Sequence, residues 1–403
     1  MVKRLDIINE IRPFIGKNII KVITGIRRCG KSTLLEQLRT LIVESIDPGA
    51  PYYSINLDDE ANSRFLAKGV LFAELEKVLA AHPERRVYLF LDEIHDVEDW
   101  EKTVNSIRMR PNADVYITGS NSRLLSGELA TYLTGRYVAF GLTPFSFREF
   151  LTLEDSGDRE KSFWRYLEFG GMPFLTELGF RAAPAKRYLE DLYQAILLKD
   201  VVRRKAIRDV ELLSRIVRYV MTETGHVFSS KRIVDYLKHE RFETAPSTVL
   251  NYLRACEEAF LITKVEREDL IGKRILSVDE KYYVTDVGLR NANVSADLGR
   301  DIDQLLEAVV YQEMCRRGYT VRIGRLKEKE VDFVCSKGSD RIYLQVAYLM
   351  PTEEMRQREF GALLAVPDQY AKYVLTLDRF DFSRDGIRHF YLPDFLCSVE
   401  EKK

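Results

Sequence analysis

The stretch Ile19-Ile-Lys-Val-Ile-Thr24-Gly25-Ile26-Arg27-Arg28-Cys29-Gly30-Lys31-Ser32-Thr33 decides the fold. Its first six residues read as a β-branched strand, and the run from Ser32, STLLEQLRTLI, reads as a helix. Between them lies a complete GxxxxGK[ST] loop, in the strand–loop–helix setting such a loop requires. Gly25 and Gly30 let the backbone fold tightly around phosphate oxygens. The amides from Gly25 to Thr33 and the helix N-terminus supply donors and partial positive charge. Lys31 can reach the β- and γ-phosphates, and the Ser32 hydroxyl can ligate Mg²⁺. Cys29 is expected to contribute its backbone N–H; a redox role would need a lowered thiol pKa.

A second motif stands downstream. Val87-Tyr-Leu-Phe-Leu91-Asp92-Glu93 is an apolar strand ending in two acids. Asp92 is expected to hold the Mg²⁺ shell, and Glu93 to polarise the attacking water. The chain has DE where a GTPase has DxxG, and it carries no NKxD-type motif, which favours ATP over GTP. The strand DVYIT leads into Gly119-Ser120-Asn121. Ser120 or Asn121 could orient the water or equally cap the next helix. Arg136 follows that helix. It is a candidate arginine finger, within the chain or across a subunit interface, or else a surface ion-pair residue.

Working outward, short apolar runs alternate with amphipathic stretches through the first half. Strands are predicted at Ile19–Thr24, Tyr52–Leu57, Val87–Asp92, Asp114–Thr118 and Arg136–Leu142, with helices such as Lys31–Val43, Leu71–Ala80 and Trp100–Met109. This alternation predicts an α/β fold, a mostly parallel sheet covered by helices on both faces. Residues 160–227 read as helix, interrupted at Gly170–Pro173. SSKRIVDYLKHE and PSTVLNYLRACEEAFLI then read as two helices, followed by strands LITKVERED and KYYVTD around a turn containing Gly272. That pattern is a winged helix-turn-helix. A small α/β block closes the chain.

GIRRCGKSTLLEQL, YLFLDEIH, ITGSNSRLL, LTGRYVAFGLTPFSFREFL and YLEFGGMPFL together resemble the prokaryotic AAA+ superfamily of P-loop ATPases, in particular a group with a C-terminal domain of unknown function. The resemblance spans essentially the whole chain. It implies a nucleotide sheet ordered 5-1-4-3-2, then a winged-helix segment, then a small α/β restriction-endonuclease-like domain. It also implies ATP and Mg²⁺ at Lys31, Ser32, Asp92 and Glu93. The expected divisions are 1–155 for the ATPase, 156–228 for a helical linker or lid, 229–292 for the winged helix and 293–403 for the nuclease-like domain.

Nucleases of that fold place an acid on a first helix, an Asp on a strand and ExK on the next strand, so that the acids bind Mg²⁺ and the lysine helps activate water. Here Glu307 and Asp332 fill the first two positions, but Gln345 replaces the next acid and Ala347 replaces the lysine. Glu330 shares a strand face with Asp332. No lysine compensates, so nuclease activity is expected to be absent. The second winged-helix helix offers Ser247, Thr248, Asn251 and Arg254 to DNA, against Glu257 and Glu258; the hairpin offers Lys273 and Arg274. Lys199–Arg208 holds a denser basic run that could track phosphates or form a solvated helix face.

Composition narrows the partners. Over 403 residues, 61 basic side chains meet 62 acidic ones, a formal net charge of −1, so any DNA contact must be local. The five cysteines form no CxxC pair, and the five histidines form no HExxH. No apolar run approaches the roughly 20 residues needed to span a bilayer, and the charged N-terminus does not read as a signal peptide. A cytoplasmic protein without membrane partners is expected. The function expected is an Mg²⁺-dependent, ATP-hydrolysing switch, coupled to DNA, to a protein partner or to further copies of itself. The alternatives are a nucleotide-gated signalling or scaffold protein with slow ATPase and, less favoured, an ATP-dependent nuclease.

Overall fold

Five strands carry the phosphate loop: β1 (Ile20–Thr24), β2 (Tyr52–Asn56), β3 (Val87–Asp92), β4 (Ala113–Gly119) and β5 (Tyr137–Gly141). All pair in parallel, in the order β2-β3-β4-β1-β5. Read from the other edge this is the 5-1-4-3-2 order implied by the resemblance. The computed structural model describes residues 2–122, 133, 135–154, 157–227, 229–272, 274–294, 297 and 299–398.

Strands β1, β3 and β4 are buried at every position, as expected where helices cover both faces of a parallel sheet. Val22, Leu89, Leu91, Val115 and Ile117 meet Val104 and Ile107 of a covering helix, Trp100–Arg108. The helix that follows the phosphate loop runs Lys31–Leu41 and passes into a π-helical turn, Ile42–Ile46, before Pro48-Gly49 stops it. One charged pair lies inside this apolar sheet. The Lys21 ammonium on β1 pairs with Asp114 on β4; Asp114 also accepts from the Tyr116 hydroxyl at 3.1 Å and the Gly16 amide at 2.8 Å. Burial holds the Lys21 pKa below its usual value even against the pull of Asp114.

The chain divides into two compact units, Met1–Pro144 with Glu258–Phe260, and Phe145–Glu257 with Leu261–Lys403. In the second unit the helices Arg159–Phe169, Ala182–Ala195 and Val210–Thr222 fill the predicted helical stretch, with a 3₁₀ turn at Pro173–Thr176 and a π-helical segment at Ile196–Arg203. The helix pair Ser230–His239 and Pro246–Glu258 follows, then the antiparallel hairpin β6 (Ile262–Asp269) and β7 (Arg274–Val284). The helix Ile302–Arg316 precedes β8 (Thr320–Leu326), β9 (Lys329–Lys337) and β10 (Asp340–Val346); β11 (Ala371–Thr376) and β12 (Arg388–Tyr391) come last.

These strands form one seven-stranded sheet, β12-β11-β10-β9-β8-β6-β7. The hairpin is therefore not a free-standing wing. Arg267, Glu268 and Asp269 of β6 pair in parallel with Ile323, Gly324 and Arg325 of β8. This satisfies backbone groups that an isolated hairpin would leave open along that edge.

Candidate functional site

The phosphate loop leaves β1 at Thr24. The Leu142 amide donates to the Thr24 carbonyl at 2.7 Å, which brings the chain after β5 against Gly25. A Cβ at Gly25 would overlap the Leu142 carbonyl oxygen, so glycine is required there for space. Gly30 caps the helix Lys31–Leu41 with φ +101°, a left-handed conformation that suits glycine. Ile26, Cys29 and Lys31 are buried, Arg27 is half-buried near Asp58, and Arg28, Ser32 and Thr33 are exposed. The Lys31 ammonium donates to the Gly25 carbonyl at 3.1 Å and the Ile26 carbonyl at 3.4 Å. Burial pushes the Cys29 thiol pKa up despite nearby Lys31 and Arg4, which leaves no reactive thiolate. Its N–H donates to the Ile26 carbonyl at 3.2 Å.

Two acids face the loop. Asp92 ends β3 and is buried; that burial raises its pKa, while hydrogen bonds from Ser32 and Thr118 oppose the rise. Glu93 turns away from the strand in a left-handed conformation, φ +54° and ψ +49°. Its carboxylate lies 3.3 Å from the Lys31 ammonium and 3.2 Å from the His95 Nδ1, and accepts from the Ser120 amide at 3.1 Å. Burial would raise the Glu93 pKa, but Lys31, His95 and Arg27 hold it below its usual value. Lys31, Ser32, Asp92, Glu93 and Ser120 thus converge at the C-terminal ends of β1, β3 and β4, and Asn121 is buried beside Ser120.

Arg136 is not brought to this group. It precedes β5, its carbonyl accepts from the Ile20 amide at 3.0 Å, and its guanidinium reaches Asn105 at 3.3 Å. Ile20 is four residues upstream of Thr24, about 13 Å along a strand. Arg136 therefore sits at the opposite end of the sheet from its own phosphate loop. The finger role within the chain is corrected by this placement, because strand direction separates the two ends of β1.

The second acid cluster is also assembled, with one correction. Glu307 projects from the helix Ile302–Arg316, accepts from the Tyr283 hydroxyl at 2.7 Å and lies 3.3 Å from the Lys281 ammonium. Lys281 lies 2.9 Å from Glu330, which also pairs with Arg267 at 2.9 Å. Burial first, and then Glu307, push the Asp332 pKa far up; its carboxylate accepts from the Val346 amide at 2.8 Å. The Gln345 side chain accepts from the Asp332 amide at 3.4 Å, and Ala347 is buried. The spacing of the acids offers no lysine to stand in for the one that Ala347 replaces, but β7 delivers Lys281 to these acids from a distant part of the sequence. Its pKa is raised: Glu307, Asp332 and Glu330 outweigh the opposing effect of burial. Among the described residues, no group of three His, Cys, Asp or Glu side chains is arranged to hold a metal ion.

On the helix Pro246–Glu258, Ser247, Asn251 and Arg254 are exposed and Thr248 is half-buried. In the basic run, Lys199, Arg203 and Arg208 are exposed, while Arg204 pairs with Asp200 at 3.3 Å. Arg274 begins β7; Lys273 lies outside the described residues. No helix among the described residues is long and apolar enough to cross a membrane.

Residues 17–151 match the AAA domain family, and residues 160–299 match a domain of unknown function (DUF8612). An uncharacterized protein of Haemophilus influenzae is 33% identical over 402 residues, covering 98% of each chain. The chain belongs to that protein's family, and its N-terminal part is an AAA domain. An uncharacterized protein of Methanocaldococcus jannaschii is 29% identical over 378 residues, 89% of this chain and 81% of its own. The Walker-type ATPase of Pyrococcus abyssi shares the fold, with a TM-score of 0.50 at 15% identity over 73% of this chain and 96% of that one.

Three residues around the phosphate loop and its acids escape motif reading. Thr118 donates to Asp92 and accepts from the Glu93 amide at 2.9 Å. His95 flanks Glu93. The Arg4 guanidinium donates to the Thr143 carbonyl at 2.7 Å and the Cys29 carbonyl at 3.5 Å, bracing the phosphate loop. Thr118 alone had an available signal: it occupies the tip of a strand that must lie between β1 and β3 in a 5-1-4-3-2 sheet.

Proposed function

We propose that the AAA domain binds ATP with Mg²⁺ and hydrolyses it to ADP and phosphate, acting as a nucleotide switch. The observation that carries this reading is the convergence of Lys31, Ser32, Asp92 and Glu93 at one end of a parallel sheet. The Ser32 hydroxyl and Asp92 carboxylate are already hydrogen-bonded neighbours. As hard oxygen donors they fit Mg²⁺ and would hold it. The ion would supply charge to offset the phosphates. Lys31 would exchange Glu93 and two loop carbonyls for phosphate oxygens. Glu93, kept ionised by its cationic neighbours, would orient the water and take its proton as the water oxygen bonds the γ-phosphorus. The bond from that phosphorus to the ADP oxygen breaks in the same displacement.

ATP turnover and analogue binding, measured on the full chain, test this reading. Lys31→Ala should abolish both. Glu93→Gln should keep binding and lower kcat by at least about a hundredfold, the scale of a lost general base. Normal turnover in Lys31→Ala would contradict the assignment.

Coupling to DNA is a second layer of the proposal, favoured by exposed Lys199, Arg203 and Arg208 and by exposed Asn251 and Arg254. It predicts ATPase stimulation by DNA that fades with salt; an unchanged rate at low salt would leave a protein partner or self-assembly. Arg136 is proposed to act, if as a finger, only on a neighbouring copy. The restriction-endonuclease-like region is proposed to be without nuclease activity, since Gln345 replaces an acid, Ala347 replaces the lysine of the next strand, and the ammonium of Lys281 is held between Glu307 and Glu330. DNA should survive a digest with Mg²⁺, and cleavage abolished by Asp332→Ala would overturn this. A cytoplasmic location remains part of the same reading.

A further inference from the structure

We infer that Thr118 is a positioning residue for hydrolysis, using one hydroxyl to set both the Mg²⁺-site acid and the water-orienting acid. The inference rests on the ATPase reading above. Thr118 is the penultimate residue of β4, a strand buried throughout, and has no solvent exposure. Its hydroxyl has one proton to give, and gives it to the Asp92 carboxylate. Its lone pair accepts the Glu93 amide at 2.9 Å. Both of its hydrogen-bonding roles toward the two acids are therefore engaged.

The second of these bonds has a conformational consequence. Glu93 is neither Gly nor Asn, yet its backbone is left-handed, at φ +54°. Such a conformation persists only where the surroundings over-determine it. The Thr118 hydroxyl holds the Glu93 amide, and the Ser120 amide holds the Glu93 carboxylate at 3.1 Å. Thr118 in β4 and Ser120 just beyond its end thus clamp Glu93 at its backbone and at its side-chain end. The kink aims the carboxylate at the phosphate loop, 3.3 Å from the Lys31 ammonium, instead of letting it continue the alternation of β3. Without the hydroxyl, the Glu93 amide loses its partner and the backbone can relax toward an extended conformation. A displacement of about 1 Å in such a group can cost on the order of a hundredfold in rate.

Thr118→Val keeps the shape and removes the hydroxyl; Thr118→Ser keeps the hydroxyl and removes the methyl. The full chain should show kcat for ATP at least about tenfold lower in Thr118→Val, with KM and ATP-analogue affinity within about threefold of the parent, and kcat near parental in Thr118→Ser. Thr118→Ala provides a second hydroxyl-free variant should the valine protein fold poorly, and thermal melts of all three report folding. Parental kcat in the valine or alanine variant overturns the inference. So does an equal loss in the valine and serine variants, which would indicate packing. Absence of turnover in the parent chain itself would sink the ATPase reading and this inference together, whereas parental turnover matched by Thr118→Val sinks this inference alone.

Discussion

Single atoms decide the nucleotide site. At Gly25 even a methyl group would meet the Leu142 carbonyl oxygen, and that oxygen belongs to a segment fastened to Thr24. Gly25→Ala should therefore push the phosphate loop out of shape. We expect ATP-analogue affinity to fall at least about tenfold, roughly 1.4 kcal/mol, as read by calorimetric titration; unchanged affinity would show that the loop can yield. Gly25, Lys31, Ser32, Asp92 and Glu93 are legible in the sequence because phosphate chemistry dictates residue types at tight spacings. Thr118 is legible only from its place at the tip of the strand between β1 and β3, because threonine is common in strands for packing reasons alone. Lys281 is not legible: its partners Glu307 and Glu330 come from other elements, and no spacing rule links them.

At the level of elements, the strands of the parallel sheet are legible because both faces are covered and their sequences are nearly unbroken apolar runs. The π-helical segments at Ile42–Ile46 and Ile196–Arg203 are not, since they keep the apolar stripe of an ordinary helix. The junction of β11 and β12 carries a pH response. His389 Nδ1 accepts from the Phe382 amide at 3.4 Å, and its Nε2 lies 2.8 Å from the Thr376 hydroxyl, which in turn meets Asp378 at 3.1 Å. Burial lowers the His389 pKa, although Asp378 and Asp381 pull it upward. The unfolded chain then binds the proton more readily than the folded one. Stability contributed here is present above pH 6.5 and falls as the pH drops through the window below it. Thermal melts between pH 7 and pH 5 should show a shallower decline in His389→Gln than in the parent; identical slopes would remove His389 from the acid response.

At the scale of the whole molecule, the second unit joins a sequence-local hairpin to a distant sheet, and Lys281 is part of that joint. Lys281→Met would leave Glu307, Glu330 and Asp332 without their shared cation. Breaking a buried pair from one side costs about 3–5 kcal/mol, which should appear as a lower urea midpoint. Adding Glu307→Gln should restore part of the loss, and a midpoint unmoved by Lys281→Met would show that the cluster tolerates its own repulsion. The Lys21–Asp114 pair poses a related problem in the first unit, where its partners lie 93 residues apart. Neither charge can enter an apolar sheet alone without a large desolvation penalty. Strand β1 therefore has a reason to wait for β4 rather than accept β3 as its neighbour, and a reason to reject a one-residue slip that would turn the ammonium to the other face. In this sense Lys21 and Asp114 act as an address label within an otherwise interchangeable set of apolar strands. The register they select is the one that sets Thr24, where the phosphate loop begins, beside Gly119.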